Sequence, residues 1–180
     1  MKEGLIADST FYICFLDCIQ KPEVLIKIIK NFKANIPQRV FQEICKSKNS
    51  HHLLQHKDCL NIFDKPHLNL GEVLRPFVSE NELKKGEHEI IVLAYVCSHM
   101  GIKFILILDE ASKRNLVKNI IPELIDNMTG TLGFLKMCCC KYHIFNNTEI
   151  INLIDEIEKS SFRIDKRIIM QIKKEIKENE

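Results

Sequence analysis

The stretch Phe104 to Leu108 is apolar without interruption, and the stretch ahead of it, Glu87 to Met100, is apolar on nearly every side at helical spacing. A strand with one wet face alternates polar and apolar residues. A continuous run marks a strand covered on both faces. A helix that is apolar nearly all round belongs to the interior. Gly101 stands between the two, where a helix is usually closed. A buried helix feeding a doubly covered strand requires a layered α/β chain, with helices on both sides of a sheet.

A second apolar run, Leu5 to Ala7, ends in Asp8-Ser9-Thr10 and reads as a buried strand meeting a helix start. Phe11 to Cys18, Val24 to Phe32, Gln38 to Lys46 and Ala111 to Ile120 carry helical spacing, with Pro22 in a tolerated first-turn position. Ile36-Pro37 and Leu60 to Phe63 read as short extended pieces, and Ser47 to His56 as a polar surface helix or loop. Leu70 to Phe77 reads as a helix and Ser79 to Lys85 as a polar connection. Thr129 to Gly133 is a turn opening a further helix, and Asn152 to Ile157 and Ile164 to Ile176 are amphipathic. Alternating short strands and helices imply a mostly parallel central sheet.

The chain has 180 residues, which suits one domain over 1–180 with C-terminal helices at about 148–178. Folding at that length buries about 70% of the unfolded surface. A net charge of +2 argues neither for nor against a nucleic-acid partner. The N-terminus meets Asp8 after Leu5-Ile6-Ala7, so no secretory apolar region is read there. The longest apolar run, Ile90 to Cys97, is far short of the ~20 residues a membrane span needs. The expected setting is therefore cytoplasmic and reducing, with no membrane partner and the eight cysteines serving as small apolar residues. Cys138, Cys139 and Cys140 with His143 invite a zinc reading. Consecutive cysteines on a helix point in different directions, however, and no CxxC pair occurs.

The chemistry lies in the acids. Asp8 and Asp109 each follow an apolar strand at its C-terminal end. In an open parallel sheet those ends share one edge, where ligands bind at the switch in strand order. The helix from Glu87 runs back against the Phe104 strand, so its N-terminus, with inward-facing Glu89, is expected at the same edge. Crowded carboxylates raise one another's pKa unless a cation neutralises them. Mg²⁺ or Mn²⁺, which prefer oxygen ligands, would do so and activate water for phosphodiester cleavage. The plain alternative is capping: Asp8, Glu89 and Asp109 all stand near helix starts, where acids commonly cap. Capping alone gives no reason for three acids to gather at one edge.

Five segments resemble the PIN-domain ribonucleases, a family that includes VapC-type toxins. They are LIADST (Leu5 to Thr10), IPQRVFQEI (Ile36 to Ile44), KKGEHEIIVLA (Lys84 to Ala94), FILILDEASKRNLVKN (Phe104 to Asn119) and MTGTLGFLKM (Met128 to Met137). The last is similar to a turn found in a stand-alone prokaryotic branch. The resemblance implies a three-layer PIN-like α/β fold, with a central mostly parallel sheet flanked by helices. It also implies a divalent-metal RNase acting on single strands. Asp8, Glu43, Glu89 and Asp109 match the family's catalytic acids, and Asp8, Glu89, Asp109 and Glu110 its metal-holding positions. Of the pair Asp109-Glu110, Asp109 is taken as facing the metal, since Glu reaches further. Thr10 and Thr131 are expected to meet substrate, Thr131 through backbone N–H groups that hold a phosphate, against the alternative of a plain cap.

Two classes of function follow. One is a ribonuclease whose partners are an RNA substrate and, for a toxin, a cognate antitoxin, with a homodimer as the candidate assembly. The other is a PIN-fold module that binds RNA or protein without cutting. Acids at every expected position favour the enzyme. Phosphotransfer lacks support, since neither a P-loop nor an acid two residues after Asp8 occurs. His88 is expected on the surface, and the basic residues from Arg163 to Lys177, interleaved with acids, on a solvated amphipathic helix.

Overall fold

The computed structural model describes residues 2–63 and 86–178. From the N-terminus the elements are β1 (Gly4–Ala7), α1 (Ser9–Ile13), α2 (Pro22–Asn31), β2 (Lys33–Pro37), α3 (Gln38–Ile44), α4 (Ser50–Leu54) and β3 (Leu60–Phe63). Then come α5 (Gly86–His99), β4 (Phe104–Ile107), α6 (Ala111–Ile120), β5 (Met128–Thr129), α7 (Thr131–Cys140), α8 (Asn147–Lys159) and α9 (Lys166–Lys177). The helix expected at Leu70 to Phe77 and the connection Ser79 to Lys85 lie outside the described residues.

The five strands are ordered β3-β2-β1-β4-β5. Each pairing among them is parallel, so the sheet expected to be mostly parallel is wholly so among the described residues. β1 and β4 lie side by side in the register Gly4↔Phe104 to Ala7↔Ile107. Every residue of both is buried, as uninterrupted apolar runs require of strands with helices on each face. α5 packs against β2, β1 and β4. Phe11 of α1 meets Phe134 of α7 edge to face at 5.7 Å, and Phe32 stands 5.3 Å from the same ring. α8 and α9 pack on each other and on α7. Ile169, Ile172 and Ile176 supply the buried stripe of α9, and Lys136 ties α7 to Glu175 at 2.6 Å.

Some local structure departs from the sequence expectation. The apolar helix read from Phe11 to Cys18 gives way at Cys14 to a π-type turn through Cys18, where the Ile19 N–H donates to the Cys14 carbonyl at 3.0 Å. The extended piece at Ile36-Pro37 is the end of a longer strand. All eight cysteines are free. Among the described residues no helix is long and apolar enough to cross a membrane.

The turn from α5 into β4 sets the direction of the chain toward the site. Gly101 has φ +66°, with its N–H on the Ser98 carbonyl and the Ile102 N–H on the Cys97 carbonyl, a Schellman closure. A Cβ at Gly101 would meet open space, so Gly101→Ala tests backbone strain alone. Denaturant unfolding is expected to show a loss of about 1 kcal/mol with an unchanged m-value.

Candidate active site

Because Ala7 and Ile107 are in register, Asp8 leaves β1 beside Leu108, and its N–H donates to the Ile107 carbonyl at 3.4 Å. Asp109 follows one residue later. Chain order runs outward from β1 through β2 to β3, then returns to β4 on the other side, so the switch in strand order falls between β1 and β4. A parallel sheet opens its ligand crevice beyond the strand ends at that point. Asp8, Thr10, Asp109, Glu110, Lys113 and Arg163 line a pocket of about 520 Å³ there.

Asp8 is only 4% exposed. Its Oδ1 accepts the Phe11 N–H at 3.2 Å and the Thr10 hydroxyl, so the residue does cap α1. Its Oδ2, equally buried, has no hydrogen-bond partner. Desolvation, opposed by the Thr10 hydroxyl and reinforced by the charge of Asp109, pushes the carboxyl up to about 6. A cap needs one carboxylate oxygen. The second is left charged, dry and unpaired.

Asp109 is gripped at both oxygens by one residue. The Thr131 N–H donates to Oδ1 at 2.8 Å and the Thr131 hydroxyl to Oδ2 at 2.6 Å. Thr131 opens α7, so the positive end of that helix also faces the carboxylate. Gly130 precedes it because a Cβ there would stand 3.1 Å from Asp109 Oδ1. Asp109 therefore does not cap α6, which follows Glu110. Glu110 is exposed and turns back onto that helix, accepting from the Ser112 hydroxyl and from Lys113 Nζ at 2.8 Å. Of the two neighbours, Asp109 is the one whose charge Asp8 feels.

The threonines differ from the sequence expectation. Thr131 is fully buried with both its donors on Asp109, so its N–H is not offered to a phosphate, and the cap position belongs to Gly130. The Thr10 hydroxyl is likewise given to Asp8, although Thr10 still lines the pocket. Each threonine holds an acid in place.

Glu89 sits in the first turns of α5 and accepts the Arg39 N–H at 3.2 Å and Arg39 Nε at 3.2 Å. Burial raises its pKa, Arg39 opposes this and the charge of Glu43 adds to it. Glu89 is thus held at the start of α3, just past the end of β2, and feels the charge of Glu43 from farther along that helix. The acids form two pairs, and neither Glu89 nor Glu43 lines the pocket with Asp8 and Asp109. The reason lies in Arg39, whose backbone and guanidinium draw Glu89 toward α3. Among the described residues, no three His, Cys, Asp or Glu side chains come close enough together to hold a metal. His88, expected on the surface, is 5% exposed. Lys113 and Arg163 bring positive charge to the pocket. Sequence reasoning missed Lys113, which sits inside a recognisable motif, and read Arg163 as part of a solvated run.

The donor set nevertheless suits a hard divalent cation. Asp8 Oδ2 is an orphaned oxygen in a dry site, a second carboxylate faces the same pocket, and both are oxygen donors of the kind Mg²⁺ and Mn²⁺ take. Fold and site together define a parallel α/β protein with a carboxylate pair at its strand-order switch. A family model described as a PIN domain matches residues 5–178, and the chain belongs to the PIN-domain family. No curated protein and no solved structure matches the chain. PIN domains are generally nucleases and typically use divalent metals.

Proposed function

We propose that the protein is a metal-dependent endoribonuclease hydrolysing phosphodiester bonds of single-stranded RNA. The observation that carries this reading is the Asp8 carboxylate, buried beside Asp109 with one oxygen unpartnered. Fold stability alone gives no reason to keep such a charge. Asp8 and Asp109 would hold Mg²⁺ or Mn²⁺, with Thr10 and Thr131 fixing the direction of each carboxylate. Glu89 and Glu43 would complete the acidic edge from the β2 side. When bound, the ion supplies charge neutralisation and a lower pKa for water. Without it the acids repel the phosphate. In the cell this reading makes the protein a cytoplasmic RNase and the toxin of a toxin–antitoxin pair, testable as growth arrest on expression that a cognate antitoxin relieves.

The test is cleavage of an end-labelled single-stranded RNA pool. Cleavage is expected with Mg²⁺ or Mn²⁺ and should stop when EDTA is added. Cleavage indifferent to EDTA would sink the mechanism. A second reading, a PIN-fold module that binds without cutting, draws on the absence of a three-ligand cluster among the described residues. It predicts RNA or protein binding with no cleavage under any metal.

A further inference from the structure

Beside the acid pocket lies a second cleft of about 590 Å³, and the two share Asp109 and Arg163. The second cleft runs between the start of α6, the β5–α7 turn and the segment leading into α9. Its size falls in the range of small-ligand sites and suits a nucleotide. Met128, Ile164 and Ile168 give it an apolar floor, and Ile168 is 40% exposed.

Its charge is distinctive. Arg114 and Arg163 both line it, and among the described residues neither guanidinium makes an ion pair or hydrogen bond. The acid that could neutralise them from the α9 side, Asp165, is already engaged. It caps α9 and pairs with Arg167 at 2.8 Å. Arg114 Nη1 and Asp109 Oδ1 lie 3.8 and 3.1 Å from one point, where a Cβ on Gly130 would stand. The two arginines of the cleft therefore stand beside Asp109, which lines it with them. An unpaired guanidinium presents a planar fork of donors matched to phosphate oxygens, and its flat face stacks on bases.

We propose that this cleft seats the nucleotide adjoining the scissile phosphate of a single strand. Arg114 and Arg163 bind its phosphate, and Met128, Ile164 and Ile168 carry its base. The ligand class is a single-stranded polynucleotide, because a base paired in a duplex cannot turn its face onto the floor. Arg163, shared by both clefts, spans the step from one phosphate to the next. The proposal rests on the nuclease reading for its orientation, but its test does not depend on cleavage.

The experiment measures binding of a fluorescent single-stranded RNA of about 12 nucleotides in EDTA, as a function of salt. It compares wild type with Arg114→Gln, Arg163→Gln, the double variant and the double Arg→Lys variant, each checked by thermal melting. Each phosphate contact on a single strand contributes about 0.7 to the slope of log affinity against log salt. The double Gln variant is expected to flatten the slope by about 1.4 and weaken low-salt binding about tenfold or more. The Lys pair should restore the slope, since it keeps the charge, while recovering only part of the affinity. Equal slopes for wild type and the double Gln variant would overturn the subsite, as would no binding by wild type. An equal arginine dependence for a duplex of the same sequence would overturn the base-on-floor assignment. If cleavage fails while the arginine-dependent slope remains, the nuclease reading falls and the subsite stands.

Discussion

Asp8→Asn is expected to abolish most cleavage and, in EDTA, to make the protein more stable. The two effects have one cause. Burial lifts the Asp8 carboxyl from its ordinary 3.8 to about 6, so its ionised form opposes folding. The folded state binds the proton more tightly than the unfolded state does. Below about pH 4 the group is protonated in both states and costs nothing. Between about 4 and 6 the wild type loses stability as pH rises, and above 6 it carries the full penalty of about 3 kcal/mol. Asn is uncharged, keeps an acceptor for the Phe11 N–H and is itself a good cap. The variant should therefore gain up to about 3 kcal/mol at pH 7.5, and the gain should vanish near pH 4. Denaturant unfolding of both proteins at several pH values, with EDTA present, reads this directly. Activity should fall by more than the about 10–100-fold typical of losing a residue that only supports a metal ligand. A cap without a further role predicts the same gain in stability with little change in rate, so the rate separates the two readings. Equal stability of the two proteins at pH 7.5 would remove the argument that the charge is kept for function.

Legibility of the fold followed the physics of burial. β1 and β4 could be read because a doubly covered strand must be apolar at consecutive positions, and both runs are too short for a buried helix. β2 was harder. Its middle residue, Asn35, is buried, and the Asn61 side chain donates to its Oδ1 at 3.0 Å from β3. A polar residue satisfied across the sheet interrupts the apolar run that marks a strand. β5 contains two residues, too few for any periodicity to register. That Asp8 and Asp109 stand together followed from strand ends, whereas Glu89, expected beside them from chain direction, lies outside their pocket; the family membership agrees with the motifs that suggested it. The partners of those acids did not follow. The Asp109–Thr131 contact joins residues 22 apart in sequence, and the Glu89–Arg39 contact joins residues 50 apart. Neither leaves a spacing that sequence reasoning can use. Thr131 was consequently read as facing substrate, although its donors are directed at the acid behind it.

That placement of Thr131 makes Thr131→Val the most informative change outside the acids themselves. Valine matches threonine in shape and is β-branched, so the buried site is filled and α7 can still start at Gly130. The backbone N–H continues to hold Asp109 Oδ1, and only the bond to Oδ2 is lost. Hydrogen bonds to charged groups contribute about 1.5–3 kcal/mol, but Asp109 is half-exposed and water can replace the hydroxyl. The stability loss should accordingly be about 1 kcal/mol. Function should suffer more. A carboxylate held at one oxygen can swing, and residues that orient a metal ligand are worth about 10–100-fold in metal affinity or activity. Calorimetric titration with Mn²⁺ is expected to show weaker binding by that factor, with cleavage reduced in parallel. Thr131→Ser restores the hydroxyl while removing a buried methyl, so it should recover metal affinity even though its own stability falls by about 1 kcal/mol. A structural role alone would invert this result: metal affinity would track stability across the two variants, and serine would rescue nothing. If Thr131→Val binds Mn²⁺ as tightly as the wild type, Thr131 is not the residue that positions Asp109.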